Sequence, residues 1–210
     1  MESDVHVSLT VIGRNQEESE TLFNRVDAEI IAILGDTIYG YNQESMAVVV
    51  GNLLKKKGWR ISVAESCTGG LLASKITEAA GSSEWFSGGV VAYSNDLKQK
   101  LLAVDNKLIA EYGAVSAPVA RAMVQGIAAC SATPIAVSVT GIAGPSGGTE
   151  EKPVGTVFFG IFANGGITDH HFTFSGSRRE IQEITAQTAL DLVRRSLLMH
   201  KGVNNGGSNR

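Results

Sequence analysis

Apolar residues recur along the chain at two spacings, and the alternation between them predicts the elements. Val5, Val7, Leu9 and Val11 alternate with other residues, which predicts a strand over residues 6–12. Leu22, Val26, Ile30 and Leu34 then fall on one face of a helix over about 15–34, with Asn15 as its cap and Gly35 as its stop. A short second strand is expected at 37–41. This βαβ-like unit is too small to bury a core alone, so residues 1–43 are expected to form a small accessory segment.

From residue 44 the pattern becomes denser. Met46, Val49, Val50, Leu53 and Leu54 mark a helix to about 57, closed by Lys55, Lys56 and Lys57, which suit the negative end of the helix dipole as a solvated helix end. A strand at 60–64 leads through a Gly-Gly turn into a helix to about 80. A strand at 89–93 follows. Asn95 and Asp105 each open a helix, and Ser116 opens a third, running to about 130 with Pro118 in its first turn. A buried-type strand at 134–139 precedes a glycine-rich loop over 141–155. Residues 156–163 and 167–174 read as a strand pair joined by Asn164, Gly165 and Gly166. The last helix starts at Ser177, with Glu180 completing a capping box, and runs to about 200. Residues 201–210 read as a disordered tail, which leaves 44–200 as the main domain. Strands alternating with helices imply an α/β domain with a mostly parallel sheet, made mixed by the late hairpin.

Composition narrows the function. The chain has 210 residues, 43% of them hydrophobic and 19% charged, with a net charge of -3. This balance is that of a globular protein and argues against a nucleic-acid partner, which would need many basic contacts to phosphate. No apolar run is long enough to span a membrane. The first residues lack the basic start and apolar core of a secretory signal, and two cysteines make no disulfide framework, so a cytoplasmic protein is expected. The four histidines show no ligand spacing, so neither a metal nor another cofactor is expected.

Ligands of such sheets gather at the carboxyl ends of the strands. After the strand at 60–64 comes Ala64-Glu65-Ser66-Cys67-Thr68-Gly69-Gly70, opening into a helix. Gly69 and Gly70 would let backbone N–H groups approach an anion or oxyanion. Ser66 is a candidate nucleophile and Thr68 a hydrogen-bonding partner, unless both only cap the helix. Cys67 is a second candidate nucleophile, although as the neighbour of Ser66 it is expected to point into the packing. After the strand at 89–93 comes Tyr93-Ser94-Asn95-Asp96-Leu97-Lys98. With Asn95 as cap, Lys98 sits at the third helical position, where the dipole opposes its charge and favours the neutral amine. A neutral lysine beside a serine makes a nucleophile without histidine; a solvated surface lysine is the plainer alternative. The loop from Thr140 and Gly141 to Gly155 is long enough to cover a ligand, and it lacks the ending of an ATP-binding loop. Arg178 and Arg179 stand at the start of the last helix, where an anion between them and the helix N–H groups would be held; both arginines facing solvent is the alternative.

These segments, with Gly81-Ser82-Ser83-Glu84-Trp85-Phe86, Gly113-Ala114-Val115-Ser116 and Glu151-Lys152-Pro153-Val154-Gly155-Thr156-Val157, occur in an order that resembles the CinA carboxy-terminal domain family over about 44–200. The resemblance implies a three-layer α/β/α sandwich with a mixed sheet. It implies hydrolysis of the carboxamide of nicotinamide mononucleotide (NMN) by a homodimer. Carried over, Ser66 is the nucleophile and Lys98 its base; Tyr93, Asn95 and Thr140 line the pocket; Arg178 binds phosphate. Residues 1–43 resemble the middle segment of longer CinA proteins, whose amino-terminal domain, linked to nucleotide pyrophosphatase activity, has no counterpart in this sequence. A non-catalytic module that binds a nucleotide or recruits a partner is the alternative; it would have no use for Lys98 beside Ser66.

Overall fold

A computed structural model describes residues 4–199. The expected tail at 201–210 lies outside them. Five strands form one sheet in the order β2-β1-β3-β4-β5. They are β1 (Ile61–Glu65), β2 (Phe86–Val91), β3 (Ile135–Gly141), β4 (Thr156–Ala163) and β5 (Gly166–Thr173). β1 pairs in parallel with β2 and β3, while β3–β4 and β4–β5 are antiparallel. The sheet is therefore mixed, as expected, with two parallel and two antiparallel pairings. Parallel neighbours need a crossover element, and the loop from 142 to 155 returns the chain to the edge of β3 without a helix.

Helices cover both faces, giving an α/β/α sandwich. α1 (Gln16–Leu34) precedes it; α2 (Met46–Lys57), α3 (Leu71–Glu78) and α7 (Arg178–Met199) pack on one face, and α4 (Asn95–Leu102), α5 (Asn106–Tyr112) and α6 (Ala117–Ser131) on the other. The two central strands are buried on both sides, so their residues divide between two cores. Ile61, Val63, Val137 and Val139 face the first helical layer, and Ala64 and Ala136 face the second. Hydroxyls buried on these strands find partners: Ser62 bonds Thr133 at 2.8 Å, and Ser138 donates to the Ala120 carbonyl at 2.6 Å.

The amino-terminal segment departs from expectation. Its helix forms, with the Asn15 side chain accepting from the Glu18 N–H. The strands expected at 6–12 and 37–41 do not: residues 4–13 are irregular, and a 3-10 turn over Gly35–Thr37 passes into irregular chain. Alternation alone does not make a strand, because its backbone groups need a ladder partner, and Val5, Val7 and Ile12 remain exposed. The segment is joined to α7 by polar contacts. Tyr39 and Gln187 both donate to Asp4, and Arg194 donates to the Asp36 carbonyl.

α4, which carries Lys98, is seated against α6 at Gly126. A Cβ there would lie 2.0 Å from the Leu102 carbonyl oxygen. Gly126→Ala is expected to destabilise the fold by about 1–3 kcal/mol, the usual cost of overpacking, read as a lower denaturant midpoint at unchanged slope. An unchanged midpoint would show that α4 can shift away freely.

Candidate active site

The carboxyl ends of β1, β2 and β3 surround a cavity of about 240 Å³. β1 delivers Ser66 and Cys67; the β2–α4 connection delivers Tyr93, Asn95 and Lys98. Thr140 and Gly141 end β3, Ala143 begins the glycine-rich loop, Ala114 and Val115 come from the turn before α6, and Arg178 opens α7. The cavity thus gathers Ser66, Lys98, Tyr93, Thr140, Asn95, Gly141 and Arg178 from four distant stretches of sequence. Thr68, Gly69 and Gly70 are outside its lining.

Lys98 is the unusual group. It is 2% exposed, in a side-chain class that is almost never buried without a partner. Its Nζ lies 3.0 Å from Ser66 Oγ, 2.9 Å from the Ala92 carbonyl oxygen and 3.4 Å from that of Tyr93. Burial holds its pKa below the ordinary 10.5, opposed by the nearby Cys67. A neutral amine has two N–H bonds and one lone pair. As an ammonium Lys98 donates to Ser66 Oγ and to both carbonyls; on losing one proton it could keep the carbonyl contacts and turn its lone pair to the Ser66 hydroxyl. The cap of α4 is Ser94, whose hydroxyl accepts from the Leu97 N–H, and not Asn95. Lys98 is therefore at the fourth helical position, and its side chain folds back toward the end of β2.

Cys67 is buried, and its thiol is pushed up to about 12, first by burial and then by Glu65, against its own backbone N–H, Lys98 and Arg178. It stays protonated and packs beside Gly141, where a Cβ would lie 3.0 Å from its sulfur. Thr140 donates to the Ala114 carbonyl at 2.8 Å, which ties β3 to the turn before α6. Arg178 donates to the Gly144 carbonyl at 2.7 Å and to the Tyr93 hydroxyl at 2.9 Å, bridging the mouth. Arg179 points elsewhere and pairs with Glu183.

Residues 43–197 match the CinA C-terminal domain family. The chain belongs to that family. A CinA-like protein of Desulfotalea psychrophila is 47% identical over 195 residues, which cover 93% of this chain and 47% of that protein. A CinA-like protein of Kosmotoga olearia is 45% identical over 197 residues, covering 94% of this chain and 48% of that protein. The chain spans about half the length of the curated relatives it matches. Among solved structures, the competence/damage inducible protein CihA of Agrobacterium tumefaciens is similar at a TM-score of 0.72 and 39% identity, covering 76% of this chain and 98% of that one. A CinA-superfamily protein of Klebsiella pneumoniae reaches a TM-score of 0.72 at 31% identity, covering 76% of this chain and 99% of that one. Among the described residues, no helix is long and apolar enough to cross a membrane.

Three side chains of this CinA domain that sequence reasoning passed over shape the site from behind. Glu65, the last residue of β1, turns its carboxylate to the start of α3 and accepts from the N–H groups of Gly70, Leu72 and Ala73 at 2.8–3.0 Å. It therefore caps α3, and the alternative in which Ser66 and Thr68 only cap that helix is not what the structure shows. Gln182 of α7 donates to the Cys67 carbonyl at 2.8 Å. Lys152 reaches from the glycine-rich loop to the Tyr112 and Val115 carbonyls, 2.9 Å each, and braces the cavity wall. The signal for Glu65 was present in the sequence: an acidic residue ending a strand that is otherwise buried must find donors nearby.

Proposed function

We propose that the chain hydrolyses the carboxamide of NMN to nicotinate mononucleotide and ammonia. The observation that carries this reading is the buried amine of Lys98, 3.0 Å from Ser66 Oγ, with its other contacts on main-chain carbonyls. Ser66 Oγ attacks the carboxamide carbon while its proton passes to Lys98. The tetrahedral oxyanion is received by backbone N–H groups at the carboxyl ends of the strands, beside Ser66. The C–N bond breaks, and Lys98 returns the proton to the departing ammonia. Water, deprotonated by Lys98, then attacks the acyl-serine; nicotinate mononucleotide leaves and Ser66 regains its proton. Incubation with NMN, with ammonia measured, tests the reading directly. Release in proportion to protein is expected; none at any pH at which the protein stays folded would overturn it.

The phosphate is assigned to Arg178. The start of α3 cannot cradle it, because Glu65 already accepts three of its N–H groups. Arg178 spends one donor on Gly144 and one on Tyr93, and a guanidinium has more to offer. Arg178→Ala is expected to lower kcat/KM for NMN about ten- to a hundredfold, the size of one charge-assisted hydrogen bond. Nicotinamide riboside, which lacks the phosphate, should lose far less. Equal losses for both substrates would place the phosphate elsewhere.

A further inference from the structure

We infer that Glu65 is a positioning residue for Ser66, acting through the backbone of the loop between them and α3; this rests on the Ser66 nucleophile proposed above. Glu65 is 1% exposed and immediately precedes Ser66. It does not line the cavity, so it touches neither substrate nor Lys98. Its Oε2 accepts from the Gly70 and Leu72 N–H groups, both at 3.0 Å, and its Oε1 from Ala73 at 2.8 Å. One side chain thus ties the end of β1 to the first turn of α3, and the nucleophile is held in the short loop so closed.

The loop is fixed from within and from the far side as well. Gly69 N–H donates to the Ser66 carbonyl at 3.1 Å, and Leu71 N–H to the Thr68 carbonyl at 3.2 Å. Gln182 holds the Cys67 carbonyl. A helix needs its first N–H groups satisfied, and a nearby hydroxyl is the usual supplier. Here Glu65 takes that duty. The Ser66 hydroxyl is thereby free to bond Lys98, and no helical N–H competes for its lone pairs. The carboxylate also bars an external anion from the start of α3.

The variant Glu65→Gln separates this role from others. A glutamine presents one carbonyl oxygen and one NH₂ group. Whichever way the amide turns, at least one of the three backbone N–H groups faces another donor. Two readouts are needed: steady-state NMN hydrolysis, and the rate at which Ser66 is acylated by a small neutral activated ester such as p-nitrophenyl acetate, which forms the ester at Ser66 Oγ and releases p-nitrophenol. The second does not depend on NMN being the substrate. In Glu65→Gln, kcat and the acylation rate are expected to fall together by about ten- to a hundredfold, with KM for NMN within about twofold of wild type. The pH at which the rate rises should stay near its wild-type position, because Lys98 Nζ contacts Ser66 and the Ala92 and Tyr93 carbonyls and not Glu65. Near-UV circular dichroism reports whether the variant keeps its packing. Should Gln prevent folding, Glu65→Asp keeps the charge but is one methylene too short to span Gly70 and Ala73 together, and the same parallel loss is expected. A folded variant with unchanged acylation, or one whose KM rises at constant kcat, overturns the inference. If wild-type Ser66 is acylated but NMN is inert, the NMN reading fails alone, and the acylation comparison still decides the role of Glu65.

Discussion

The Ser66→Ala variant is expected to lose NMN hydrolysis by about a thousandfold or more while keeping its fold. The size of the loss follows from the absence of a substitute. Cys67 is the neighbouring nucleophile, but its thiol is pushed up to about 12 and remains protonated. Thr68 has a buried hydroxyl that lies outside the cavity lining. Removing Ser66 Oγ costs Lys98 one of its three contacts and leaves both carbonyl partners in place, so the stability change is expected to be about 1 kcal/mol. Ammonia release and the melting temperature, measured on one preparation, separate lost chemistry from lost fold. Near-normal turnover in this variant would remove Ser66 from the mechanism. Mass spectrometry of the wild type gives an independent check, because an acyl-enzyme adds its mass on the peptide that carries Ser66 and on no other.

Most of the domain from Met46 onward was legible because each helix carries its own punctuation. Asp105 caps α5 by accepting from the Lys107 N–H, and Ser177 and Glu180 exchange hydrogen bonds as a capping box should. The cap expected at Asn95 lies one residue earlier, at Ser94. Ser94 and Asn95 are both good caps; the extended backbone of Ser94 makes it the cap and puts Asn95 inside the helix. β2 begins at Phe86, earlier than the expected start at residue 89, because its pairing with β1 runs from Phe86 to Gly88 and Gly89 with a register shift that passes over Ser87. The sheet was harder still. Alternation at Val5, Val7, Leu9 and Val11 is a local property, while a strand is a pairing with something distant. The site follows the same division. Ser66, Lys98 and Arg178 could be picked out because nucleophiles, lysines and arginines at element ends are chemically conspicuous. Ala114, Val115 and Ala143 could not, since nothing in an alanine tells that it walls a cavity. Gly69 and Gly70 suggest backbone N–H groups open to an anion or oxyanion, but the amide of Gly70 serves Glu65.

Lys98 supplies the most discriminating result. Lys98→Arg is expected to lose at least about a hundredfold in kcat, as is Lys98→Ala, which falls in the range of a removed general base. The two variants fail for different reasons. Alanine offers no base. Arginine keeps the charge, but its guanidinium does not shed a proton in a protein and so has no lone pair to offer Ser66. On the proposed mechanism the active form is the neutral amine, and burial lowers the pKa of Lys98 from 10.5. The neutral fraction therefore grows as pH rises through that lowered pKa. The rate of NMN hydrolysis should climb with it, as the titration of a single group whose midpoint lies below that of a free lysine. Lys98→Ala should lose that rising limb along with its activity, leaving a residual rate that no longer follows the lysine titration. The opposite sign is equally informative. If Lys98 served as a fixed positive charge for the substrate, the rate would fall over the same span as the ammonium lost its proton. Arginine would then restore much of what alanine removes, and the Ser66–Lys98 pair would be a binding contact instead of a nucleophile and its base.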